Sequence, residues 1–141
     1  MKSRKTVLVA MGILIISITA CKKYPDGPLI SFRSKTERVA NNWRVGQALD
    51  NGSDVTSSYN KYELSLTKGG SASLTAMYTF LGTKYEYTTN GTWTFVSSNE
   101  KLSMDFENND ADAVYKILRL KEDEMWLQKD GGSLELHLVP R

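Results

Sequence analysis

The chain has 141 residues, 40% of them hydrophobic, with 18 Lys plus Arg against 16 Asp plus Glu and a single cysteine. That length supplies one hydrophobic core and is too short for two domains, and a lone cysteine excludes an intramolecular disulfide. A net charge of +2 excludes the concentrated basic surface that nucleic-acid binding requires.

Lys2, Arg4 and Lys5 open the chain, an apolar stretch runs from Val7 to Ala20, and Cys21 follows directly in Ile18-Thr19-Ala20-Cys21. A cationic start, a short apolar region and a small residue at the boundary are the marks of a signal peptide. The stretch is too short to stay in place as a membrane span, which needs roughly 20 apolar residues. Ile18 to Cys21 resembles the lipobox of bacterial lipoproteins. That resemblance implies removal of residues 1–20, thioether-linked diacylglycerol on Cys21, and an acyl chain on its new amino group. Several chains on one residue anchor firmly, because each buried methylene contributes about 0.8 kcal/mol and one chain alone is marginal.

Cleavage removes three cations and no anion, so the mature domain is close to neutral and loses any electrostatic basis for a nucleic-acid partner. Residues 21–28, with Pro25, Gly27 and Pro28, read as a tether, and Lys22 and Lys23 suit anionic headgroups. In Gram-negative lipoproteins, a residue other than Asp after the lipidated cysteine resembles the outer-membrane sorting pattern. The paired acids of surface-exported lipoproteins are missing here. The expected address is therefore the outer membrane, lipid-anchored and facing the periplasm.

The folded domain is expected over residues 29–141. Ser34 and Glu37 stand at capping-box spacing and predict a short helix from about Thr36 to Ala40, ended by Asn41-Asn42. Beyond it the hydrophobic period changes to two, the mark of strands with one buried face. Trp43 to Leu49 is the first strand. Tyr62 to Thr67 and Ala72 to Ala76 form a hairpin about Lys68-Gly69-Gly70. Tyr85 and Tyr87 share one face of the next strand, Asn90-Gly91 reads as a turn, and Trp93 alternates with Phe95. Leu102 to Phe106, Val114 to Leu120, Met125 to Gln128, and Leu134 to Leu138 complete the set. About eight short strands with hairpin-length links predict an all-β fold, an antiparallel up-and-down β-barrel closed on itself, with a two-sheet sandwich as the alternative. A barrel of that size is either filled by side chains or holds one small ligand.

The helix ahead of Asn41-Asn42-Trp43, the strand Gly91 to Phe95, the strand Tyr115 to Leu120, the acidic turn Glu122-Asp123-Glu124 and the run Met125-Trp126-Leu127 together resemble the small lipocalin-like lipoproteins of Gram-negative bacteria. The resemblance covers residues 29–140 and implies a calycin-type barrel that binds a small apolar or amphipathic molecule. Asn41 replaces the glycine of the Gly-x-Trp signature of true lipocalins.

Little in the sequence points to catalysis. His137 is the only histidine and falls on the polar phase of its strand, so with Cys21 it cannot supply the three or four ligands of a zinc site. No Gly-x-Ser-x-Gly turn positions a nucleophile. The acids from Asp105 to Asp112 invite a calcium loop, but Ala113 and Arg119 stand where an EF-hand needs glycine and glutamate. The expectation is a non-enzyme with no cofactor and no metal. The aromatic residues remain as the clue, since their rings offer apolar faces and a hydrogen-bonding tip. Tyr62, Tyr85, Tyr87 and Trp126 are the candidate ligand contacts near the mouth of a cavity. The alternative is an envelope interaction protein with a filled barrel, whose loops, such as Asp50 to Ser58, meet a protein partner.

Overall fold

The computed structural model describes residues 32–141, so the expected signal peptide, Cys21 and the tether lie outside the described residues. Near the start of these residues the Ser34 Oγ accepts the Glu37 N–H at 3.2 Å while the Glu37 carboxylate accepts the Ser34 N–H at 2.9 Å. This reciprocal box starts α1 (Lys35–Val39). Five residues are too few to persist as an isolated helix, and burial of Arg38 and Val39 against the barrel holds α1 in place. The helix gives way at Ala40, and Asn42 already belongs to the first strand.

The strands are β1 (Asn42–Asp50), β2 (Ser53–Asp54), β3 (Glu63–Leu66), β4 (Ser71–Phe80), β5 (Thr83–Val96), β6 (Lys101–Phe106), β7 (Ala113–Leu120), β8 (Met125–Lys129) and β9 (Leu134–Pro140). Two-residue β2 only extends the end of β1, pairing Leu49 with Asp54. The other eight run β1-β3-β4-β5-β6-β7-β8-β9 in antiparallel neighbours, and β9 returns to β1 from Trp43↔Pro140 to Asp50↔Leu134. One sheet closed on itself is a barrel. The sandwich alternative, which needs two sheets, is excluded, and closure removes the exposed edges that an open sheet must protect.

Alternation fills the interior: Leu64 and Leu66, Ala72, Leu74 and Ala76, Leu102, Met104 and Phe106, Met125 and Leu127, and Leu136 and Leu138 are all buried. Two strands break the period. In β1 the inward residues are Trp43, Val45 and Ala48, and a register shift between Val45 and Gln47 absorbs the extra residue. In β7 they are Tyr115, Ile117 and Leu120, with a shift between Ile117 and Arg119. A bulge puts two residues opposite one, so it restores the inward phase downstream of itself.

The two ends of the barrel differ. At one, Arg38 donates from Nη1 to the Leu120 carbonyl at 2.6 Å, and the Trp43 indole N–H donates to the Val39 carbonyl at 2.8 Å, so α1 covers the opening. At the other, β4 and β5 outrun their neighbours: pairing with β3 stops at Thr75 and pairing with β6 begins at Gly91, while the two strands stay paired to Phe80↔Thr83.

One expected turn is not a turn. Asn90-Gly91 lies inside the continuous strand β5, and the chain reverses instead at Leu81-Gly82, both at positive φ (48° and 79°). Gly91 is there for closeness. A Cβ on it would collide with the Asp105 carbonyl oxygen and come within 2.7 Å of the Phe106 Cα on β6.

Candidate ligand-binding site

The barrel end opposite α1 opens into a cavity of about 620 Å³. The strand ends that face away from α1 build it: Leu74 and Ala76 of β4, Tyr87 of β5, Tyr115 at the start of β7, Lys129 at the end of β8 and Leu134 at the start of β9. The connection from β2 to β3 supplies the rest of one wall. There the single 3₁₀ turn Thr56–Tyr59 carries Tyr59, and the residues just after it carry Lys61 and Tyr62. The Thr56 hydroxyl accepts the Ala48 N–H at 3.0 Å and so pins this turn to β1. A second 3₁₀ turn, Asn109–Ala111, brings Asp110 and Asp112 to the rim.

Four tyrosines thus face one space: Tyr59, Tyr62, Tyr87 and Tyr115. The rings of Tyr59 and Tyr62 meet with centroids 6.1 Å apart at 60°. Tyr115 is 7% exposed, so it forms part of the floor and not the rim. Burial holds the Tyr62 hydroxyl well above the usual phenol pKa, and its hydrogen bond to Tyr115 adds to this. Burial also raises Tyr115, although accepting that bond works in the opposite direction. Tyr87 is raised by burial and then by the negative charge of Asp110, and Tyr59 by burial and then by Asp50. All four phenols therefore stay neutral at physiological pH and act as hydrogen-bonding groups on apolar rings.

The four residues singled out from sequence do not come together. Tyr62 and Tyr87 line the cavity. Tyr85 stands on the projecting β4–β5 hairpin, where its ring stacks on Tyr78 at 5.4 Å and Tyr78 in turn meets Tyr87 edge-on at 5.8 Å. Trp126 is on the opposite side of the wall. Met125 and Leu127 take the inward phase of β8, so the indole lies on the outer face, stacked on His137 with centroids 3.9 Å apart. Its expected place near the mouth is corrected accordingly: a residue between two buried neighbours in a strand must point outward. Tyr115, Tyr59 and the lining lysines Lys61, Lys84 and Lys129 are not among the residues that the sequence singles out. Tyr115 was legible, because it shares the phase of buried Ile117. Tyr59 and Lys61 stand in a non-repeating segment where period carries no information.

His137 follows the outward phase of β9, yet Trp126 covers it and its Nε2 contacts the Glu135 carboxylate. In the acidic segment, Asp112 Oδ1 accepts the Phe106 N–H at 2.6 Å and the Asn108 side chain caps the following turn, so both serve the loop. Among the described residues no group of three His, Cys, Asp or Glu side chains is placed to hold a metal ion.

No protein-family model matches the chain, and no curated protein matches it significantly. Solved structures do. A DUF4847 family protein from Bacteroides vulgatus ATCC 8482 aligns with a TM-score of 0.52 at 10% identity, covering 72% of this chain and 93% of that one. A deswapped triple mutant of bovine odorant binding protein aligns at 0.45 with 16% identity, covering 74% of each chain. Odorant binding protein OBP1 aligns at 0.45 with 11% identity, covering 77% of this chain and 75% of its own. Identities this low speak to architecture alone. The chain is an all-β protein with a closed eight-stranded antiparallel barrel and one extra strand.

Proposed function

We propose that this chain is a small-molecule-binding module whose ligand sits in the tyrosine-lined mouth of the barrel, held at the bacterial outer membrane by lipid on Cys21. The cavity carries the reading. At about 620 Å³ it falls within the range of small-molecule sites, and it combines apolar walls with a few hydrogen-bonding groups, as such sites do. Its mixed lining suits an amphipathic molecule better than a plain hydrocarbon. Binding is favoured over catalysis because His137, the only histidine, is stacked beneath Trp126 on the outer face, away from the cavity. The membrane address rests on the Cys21 sequence alone.

Native mass spectrometry of the chain purified from its own host tests the binding reading. A co-purifying species of small-molecule mass, lost when Ala76→Trp fills the cavity, is the expected result. A bare chain that also fails to take up any added amphiphile removes the reading's support.

A second role, contact with an envelope protein, is favoured by one observation. The tip of the β4–β5 hairpin presents Phe80 and Leu81 at 58% and 88% exposure. Apolar side chains this open are a feature of interaction sites.

A further inference from the structure

We infer that the ligand of the cavity is an anion: an apolar or aromatic body carrying one acidic group, seated with its body among the tyrosines and its charge at the lysine rim. This rests on the binding reading above and adds the class of ligand. Lys61, Lys84 and Lys129 all line the cavity, and they reach it from three separate elements: the connection before β3, the hairpin strand β5 and the end of β8. Such convergence is made by the fold and not by a run of basic sequence.

Ion pairs engage other lysines and not these three, nor Lys116 on the outer wall. Lys68, Lys101 and Lys121 each pair with a carboxylate, at 3.5, 2.8 and 3.9 Å from Glu37, Asp130 and Glu124. Among the described residues, Lys61, Lys84 and Lys129 pair with none, although Asp110 and Asp112 line the same cavity. Asp112 is held in place by the Phe106 N–H and keeps its charge, so the lining sets two carboxylates against three ammonium groups, an excess of one positive charge. The tyrosines add no negative charge, since burial keeps them protonated. An acidic ligand neutralises this excess, and the Tyr59 and Tyr87 hydroxyls are the ones that donate to its oxygens, that of Tyr62 being given to Tyr115.

The test uses two probes with the same rings, anilinonaphthalene sulfonate and its neutral counterpart phenylnaphthylamine, titrated into the full chain. Probe emission is excited through the tryptophans, so that only molecules bound at the barrel are read. The sulfonate is expected to bind about ten-fold more tightly than the neutral probe. Each of Lys61→Gln, Lys84→Gln and Lys129→Gln should weaken it about three-fold, and raised salt should do likewise, as screening of exposed charges requires. The triple variant should bind both probes alike. The three lysines are exposed, so the variants keep the fold. Equal binding of both probes by the parent, unchanged in the triple variant, overturns the anion inference and leaves the binding reading standing. Binding of neither overturns both.

Discussion

The Trp126 indole and the His137 imidazole lie face to face on the outside of the barrel, centroids 3.9 Å apart and planes within 6° of parallel. Their registers explain the contact. Trp126 pairs with His137 on β9 and with Arg119 on β7, and the Arg119 guanidinium lies 3.9 Å from the indole centroid. Arg119 also binds Glu124 at 2.7 Å. The result is a three-strand ladder of flat groups clamping the outer wall, of the kind that cross-strand pairs and cation–π contacts stabilise. Trp126→Ala should lower unfolding stability by about 2 kcal/mol in a denaturant titration, while leaving probe binding in the cavity unchanged. Lost binding in a folded variant would return Trp126 to the site.

Arg38 tests the closed end. Its side chain is nearly fully buried, with one strong bond to the Leu120 carbonyl and a buried Nε that has no partner among the described residues. Hydrogen bonds from charged donors contribute about 1.5–3 kcal/mol, so Arg38→Ala should cost about 2 kcal/mol by denaturant unfolding. A change below about 0.5 kcal/mol would mean that α1 does not brace the barrel.

Gly91 tests the register of β5 against β6. Because the colliding atoms are backbone, no side chain can yield to a new methyl group. Gly91→Ala should destabilise by more than about 2 kcal/mol and lower amide-exchange protection along Thr92 to Val96. Near-wild-type stability would show that the strands are not packed this closely.

Alkaline pH tests the tyrosines. A phenol whose folded pKa lies above its unfolded value, about 10, binds its proton more tightly in the native state. Its stabilising contribution is complete below about pH 10 and is lost as pH rises from there through the folded pKa. Tyr62 is raised most clearly, by burial and then by Tyr115. Stability should therefore fall above about pH 10, and Tyr62→Phe should flatten that fall. A fall of the same steepness in the variant would place the titrating group elsewhere.

The barrel was legible because alternation alone decides which face of a strand is buried, and the capping box at Ser34 and Glu37 fixed the helix start. What misled was local chemistry that tertiary contact overrides. Asn90-Gly91 is a strong turn signal, yet here glycine serves close strand approach, and the reversal falls on Leu81-Gly82, whose leucine at positive φ no turn preference anticipates. Trp126 faces outward because strand phase, and not residue type, decides the side on which a residue lies. The cavity's lysines were illegible because they belong to three elements, and only closure of β9 on β1 determines which strand ends share a rim.

The most direct test of the binding cavity is to map where an amphiphile lands, by following backbone amide shifts during titration with anilinonaphthalene sulfonate. Saturable shifts confined to Tyr59, Lys61, Tyr62, Ala76, Tyr87 and Tyr115 are predicted. Shifts centred on the hairpin tip at Phe80 and Leu81, with the barrel mouth silent, would contradict the account.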